Sequence, residues 1–355
     1  MITPTGESED CTAVTVDAAL EVEELDQDLY RSIRLWQPAR ARGVFGGQVI
    51  GMAVASAAKT VRADQTLHSL HCYFLLAGDR SQPIVYRVER VRDGGSYATR
   101  QVQAQQKGRC IFTVLLSYHV PEPRQPTFAI PLPPPLGGTG GAGSSTEANA
   151  RLFEPQTSFS RSPTPNSIVA ALPPPETSPL NEQRYIDVLA RYGSSVPPKL
   201  KKLLEAWIRD RRKSPLEIRN ALPGMYDDNG LPTPGYEQAF WLRTRKPVKG
   251  DIEAQKAALA YASDFQFLSS VPKALENSPN IKMMASLDHC MWFYNDFDVH
   301  EWLLFLMQTQ AAGHGRGVAL GRIYRRDGTL VAVLAQEGMV RENLERKRDV
   351  DASKL

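Results

Sequence analysis

The chain has 355 residues, 42% hydrophobic and 23% charged, which is enough for two domains of ordinary size with proper cores. A formal net charge of +3 is too balanced to argue for nucleic acid or an anionic membrane, and the basic runs RDRR (209–212) and RKR (346–348) read as solvated faces. Four cysteines without a C-x-x-C pair argue against a disulfide framework or a zinc site and for a reducing compartment.

The opening MITPTGESEDCTAV lacks the basic and apolar blocks of a signal peptide, and no apolar run approaches transmembrane length, so a soluble intracellular protein is expected. FGGQVIGMAVASAAK, from Phe45, predicts a helix of small residues that lets a sheet wrap closely around it; TLHSLHCYFL, from Thr66, predicts a strand. QQKGRCIFTVLLSYHV, from Gln105, carries a KG hairpin signal between strands. Residues 121–185 are rich in Pro, Gly and Ser and nearly free of hydrophobic periodicity, as expected of a flexible connector. In KLKKLLEAWIRD, Leu200, Leu203, Leu204, Trp207 and Ile208 recur at helical spacing after Pro197 and Pro198, which mark the start of an amphipathic helix. YASDFQFLSSVPKAL reads as a second helical stretch, KMMASLDHCMWF as a strand, and RRDGTLVAVLAQEGMV as a DG turn into a strand. The chain closes on DVDASKL, and Ser353-Lys354-Leu355 has the form of the peroxisomal address read by an import receptor.

The two sides of the connector repeat one pattern of helix, strand and β-meander. Laying Phe45 on Tyr261 puts Gln48 on Asp264; a one-residue gap then sets Ser69 on Ser286, and a further three-residue gap sets Gly108 on Gly328 and Leu116 on Gln336. One long helix in a curled antiparallel sheet is the hotdog arrangement. The expected class is α+β, a double hotdog whose two repeats join into one continuous sheet, because a lone repeat leaves an edge that invites pairing. The expected division is an N-terminal repeat over 16–120, the connector over 121–185, a helical segment over 186–212, a C-terminal repeat over 213–345 and a tail over 346–355.

Asp264 stands among Ala, Tyr, Phe and Leu, where an unpaired carboxylate costs several kcal/mol. It is either a satisfied structural acid, paired with an arginine or capping a broken helix, or a group held ready for chemistry. Ser286 and Gln336 taken singly are an ordinary strand serine and an ordinary edge glutamine. Together with Asp264 they form a polar set in the second repeat that Gln48, Ser69 and Leu116 do not reproduce in the first. His289 and Cys290 are adjacent on a strand and face opposite ways, which removes a direct nucleophile–base pair, and His68 and His71 read as packing or hydrogen-bonding residues. Asp288 is a neighbour that could support the set. GGQ at 46–48 reads as tight helix–sheet packing or as a close approach of backbone to a ligand. The stretch 120–355 and what precedes it hold no G-x-S-x-G elbow, H-E-x-x-H pair or Walker loop.

RGVFGGQVIGMAV, LHSLHCYFLLAGD, VRDGGSYATR, SPLEIR, YASDFQFL, SLDHCMWF and VAVLAQEGMVR, in this order and spacing, resemble the type II acyl-CoA thioesterases. The resemblance implies hydrolysis of a fatty acyl-CoA by a water held between Asp264, Ser286 and Gln336, with serine here where the family often has threonine. It implies no metal or redox cofactor, coenzyme A entering as part of the substrate, and pairing of double-hotdog units into a homo-oligomer. Two rivals remain at this level: an acyl-CoA-binding hotdog without activity, and a hotdog enoyl-CoA hydratase, whose Asp and His segment is not found here. Phe265, Phe267 and Trp292 are candidates for lining an acyl tunnel between helix and sheet or for plain core packing.

Overall fold

The computed structural model describes residues 14–39, 41–130, 172–222, 227, 233–276 and 281–342. Helix α1 (Val16–Leu20) starts at Thr15, whose hydroxyl accepts the Ala18 N–H. Strands β1 (Val22–Asp26) and β2 (Leu29–Ser32) follow, then α2 (Gly46–Ala58). Every residue of α2 from Gly47 to Val54 is buried, as suits a helix with no charged residue and therefore no solvent face. The meander is β3 (Thr66–Phe74), β4 (Val85–Asp93), β5 (Tyr97–Gln106) and β6 (Arg109–His119). Lys107 (φ 51°) and Gly108 (φ 71°) join β5 to β6 in a two-residue loop with both φ positive, as the KG signal requires.

Helices α3 (Gln183–Tyr192) and α4 (Pro198–Lys213) lead into the second half. Its elements are β7 (Leu216–Asn220), β8 (Glu237–Thr244), α5 (Ile252–Ser263), the short α6 (Ser270–Ala274), β9 (Ile281–Ser286), β10 (Asp288–Phe293), β11 (Leu303–Gly313), β12 (Arg316–Arg325) and β13 (Leu330–Glu342). All pair antiparallel in one sheet of order β1-β2-β4-β5-β6-β3-β10-β13-β12-β11-β8-β7, with β9 added on β13. Read inward from either edge, the two halves have the same order, and they join where His71 on β3 faces Cys290 on β10. This is the double hotdog: two buried helices inside one curled sheet.

The helices run antiparallel and close enough to need glycine. A Cβ on Gly51 would lie 3.0 Å from the Ala257 carbonyl oxygen, and one on Gly47 only 2.3 Å from that of Tyr261. Alanines at 257, 258, 260 and 262 keep α5 slim along its buried length.

Two sequence expectations change. The repeat register that lays Gln48 on Asp264 does not hold, since Gln48 sits in the first turn of α2 and Asp264 caps the C-terminus of α5. A helix buried all round has no polar stripe to set its phase, so small-residue segments can be slid along one another in an alignment. Gln48 is a structural amide: its Oε1 accepts the Trp36 N–H at 2.8 Å and its Nε2 donates to the carbonyls of Ala19 and Arg34. The connector also gives way to ordered chain before 186. Asn181 N–H donates to Ile218 O, Leu180 bridges Arg219, and the Trp241 indole donates to Pro173 O, so 172–182 are tied to β7 and β8 and α3 opens at Gln183. Residues 131–171 and Ser353-Lys354-Leu355 lie outside the described residues. Among the described residues no helix is long and apolar enough to cross a membrane.

Gly51→Val places branched carbons where two backbones meet and is expected to destabilise the fold by about 1–3 kcal/mol. Chemical denaturation checks this; an unchanged midpoint would mean the helices tolerate separation.

Candidate active site

Asp264 is the C-cap of α5, at the negative end of its own helix, where a carboxylate is disfavoured. The antiparallel packing offsets this by bringing the amino end of α2 to the same place: Gly47 N–H donates to Asp264 Oδ2 at 2.8 Å. A Cβ on Gly46 would stand 2.8 Å from that same oxygen. The glycine pair therefore serves packing and carboxylate binding at once, and the first repeat contributes to a site that the sequence places wholly in the second.

Opposite the helix ends, β13 carries Gln336, fully buried, and its amide nitrogen bridges the other two residues. Nε2 donates to Asp264 Oδ1 at 3.0 Å and to Ser286 Oγ at 2.7 Å. Ser286 ends β9 just before a break at Leu287. There the Leu287 N–H donates to Glu337 O on β13, and its carbonyl accepts the Phe74 N–H. Asp288 accepts the Glu337 N–H at 2.7 Å and so holds the backbone beside Gln336. The acid, the alcohol and the amide expected from sequence are thus in direct contact, although 72 and 50 residues separate Gln336 from the other two.

Burial pushes the Asp264 carboxyl above its ordinary value, while the Gln336 and Gly47 hydrogen bonds pull it back by stabilising the ionised form. Both carboxylate oxygens keep lone pairs for a further donor. Ser286, accepting from Gln336, retains its own proton to give. The set can take a proton from a water and hold that water at the same time.

Other candidates are placed elsewhere. His68 Nε2 lies 2.8 Å from Ser117 Oγ, in a cluster with Tyr97 and His119, and burial followed by the His119 charge pushes it down to about 4. His71 packs edge-on to Trp292. Phe265 belongs to a ring cluster with Trp36, Phe45 and Tyr261, and Phe267 is core against Phe305. The run at 209–212 is not simply a solvated face: Arg211 lies over the Phe265 ring, and Asp210 accepts the Ala39 N–H. A surface depression of 510 Å³ beside α6 and β11, lined in part by Tyr236, Leu275 and Gln308, contains none of the three residues. Among the described residues no group of three His, Cys, Asp or Glu is gathered to hold a metal.

Comparison with known proteins adds independent findings. A family model described as "Acyl-CoA thioesterase N-terminal domain" matches residues 33–119, and one described as "Acyl-CoA thioesterase C-terminal domain" matches 168–340. The chain is 34% identical to acyl-coenzyme A thioesterase 8 of Rattus norvegicus, over 98% of this chain and 94% of that protein. It is 22% identical to peroxisomal acyl-coenzyme A thioester hydrolase 1 of Saccharomyces cerevisiae, over 85% and 87% respectively. Among solved structures it is similar to an acyl-CoA thioesterase II of Mycobacterium marinum, with 28% identity, a TM-score of 0.64, and coverage of 93% of this chain and 99% of that one.

The raised pKa of Asp264 has a sign for stability. Its folded value lies above the unfolded one, so ionisation costs stability as pH rises from the ordinary value through the folded value. Asp264→Asn, which does not titrate, is expected to melt above wild type at neutral pH, with the gap shrinking towards acid. Melting temperatures of both proteins across pH check this; a gap independent of pH would mean the carboxyl is not perturbed.

Proposed function

The chain belongs to the acyl-CoA thioesterase family and is an acyl-CoA thioesterase; from that premise we propose that it hydrolyses fatty acyl-CoA through a water held by Asp264, Ser286 and Gln336. The observation that carries this reading is the Gln336 amide nitrogen, shared between a carboxylate and a hydroxyl at the meeting of two helix ends.

A thioester carbonyl is electrophilic enough that water needs alignment and deprotonation more than a covalent relay. Asp264 accepts one proton as the water oxygen bonds to the carbonyl carbon, and the carbonyl oxygen takes up the negative charge. The amino end of α2 supplies positive electrostatic character to that oxygen. Collapse of the tetrahedral adduct breaks the carbon–sulfur bond. Coenzyme A leaves as a thiolate that takes a proton, directly or by way of the protonated Asp264, and the acyl group leaves as the free fatty acid. Desolvation of Asp264 strengthens it as a base, and its two hydrogen bonds favour its ionised form.

We place this reaction in the peroxisome. The tripeptide Ser353-Lys354-Leu355 has the form that the import receptor reads, and the name of the yeast relative states the same compartment.

Purified protein is expected to release free thiol from saturated acyl-CoA. Asp264→Asn and Gln336→Ala should each lower kcat by about 100-fold or more, on the scale of a lost general base or a misplaced nucleophile. Ser286→Thr should keep most turnover because the hydroxyl is retained. Near-normal rates in Asp264→Asn would remove the proposed base; turnover of a 2-enoyl-CoA without thiol release would favour hydration instead. A reporter fusion ending in this chain should enter peroxisomes and stay cytosolic once Leu355 is removed; import without Leu355 would point to another route.

A further inference from the structure

Gln336 commits its amide nitrogen to Asp264 and Ser286, and its carbonyl oxygen Oε1 is buried without a partner. A second buried atom beside it is also orphaned, His289 Nδ1. His289 is fully buried on β10, one residue before Cys290, which pairs with Ala335 next to Gln336 on β13. Its other nitrogen, Nε2, lies 3.0 Å from the hydroxyl of Ser263, the residue before Asp264. Burial pushes the ring down to about 4, with the Gln336 side chain opposing the shift, so the imidazole is neutral at working pH and carries a single N–H.

On the reading that Asp264, Ser286 and Gln336 form the hydrolytic site, we propose that His289 is a positioning residue: protonated on Nδ1 it donates to Gln336 Oε1, accepts the Ser263 hydroxyl proton on Nε2, and so locks the amide with its donor side towards Asp264 and Ser286.

The physical need is polarity. A glutamine amide turned over would aim Oε1 at the Asp264 carboxylate, and two acceptors can sit together only if Asp264 takes up a proton. A protonated Asp264 is no base. Which way the amide lies is set by what Oε1 meets, and that is set by where the imidazole carries its hydrogen. The Ser263 hydroxyl has one proton and three acceptors in reach, His289 Nε2, the Ala260 carbonyl at 2.9 Å and Met291 Sδ at 3.4 Å. Given to His289, that proton forces the imidazole hydrogen onto Nδ1. Given to Ala260 or Met291, it leaves Nδ1 bare and Gln336 free to invert.

His289→Asn and His289→Gln separate this role from packing. An asparagine amide nitrogen falls near the place of Nδ1 and a glutamine one near that of Nε2, while both keep a buried amide. His289→Asn is expected to retain most of kcat. His289→Gln is expected to lose about 10- to 100-fold in kcat with KM little changed, as for a misoriented catalytic group. The acid limb of its rate profile should move to higher pH, because Asp264 loses a stabilising donor. Equal kcat and unshifted limbs in the two variants would overturn the proposal. If these variants fail to fold, Ser263→Ala leaves the histidine in place but frees its tautomer, and an unmoved acid limb there overturns it equally. Gln336→Ala in the same assay separates the two levels. Lost turnover there with unperturbed His289→Gln removes only the positioning role, whereas retained turnover removes the hydrolytic site and the positioning role with it.

Discussion

Backbone-to-backbone contact between α2 and α5 is the constraint on which this molecule is built. Two helices enclosed in one sheet have no room for side chains between them at Gly47 and Gly51, where an added Cβ would meet a carbonyl of the opposite helix. Because they run antiparallel, the positive end of one abuts the negative end of the other. Two such junctions result, one at each end of the pair, and the chain uses them differently.

At one junction Asp264 meets Gly47, with Gln336 and Ser286 approaching from the sheet. The groups there keep hydrogen-bonding capacity: the carboxylate has free lone pairs and the serine keeps its proton. At the other junction Glu253, in the first turn of α5, accepts from the Thr66 hydroxyl and the Leu67 N–H, and Lys256 closes the group by bonding Thr66, the Leu67 carbonyl and Glu253. That end is an ionic clamp between helix and sheet. The two junctions differ in what meets the carboxylate: Lys256 and strand β3 at Glu253, a helix amino end and neutral side chains at Asp264.

The break at Leu287 is the second device that shapes the site. Strand β9 ends and β10 begins within one residue, with Leu287 pinned between β3 and β13. Ser286 is thereby turned towards Gln336 while His289, three residues on, points to the core beneath it. One interrupted strand thus delivers both the hydroxyl above the amide and the imidazole below it.

By itself the sequence picked out the elements and the candidate side chains. The KG and DG turns, the apolar strands, the proline start of α4 and the stretches around Asp264, Ser286 and Gln336 are local signals, written in residue types and short spacings. Tertiary structure alone decided the register of the buried helices and hence which ends meet. A helix apolar on every side carries no phase, so Gln48 looked like the counterpart of Asp264 when it stands at the other end of its helix. It also decided that Gly46 and Gly47 of the first repeat belong to the site, and that residues 172–182 are tied to β7 and β8. These are contacts between segments far apart in the chain, and no local pattern records which backbone a glycine will lie against.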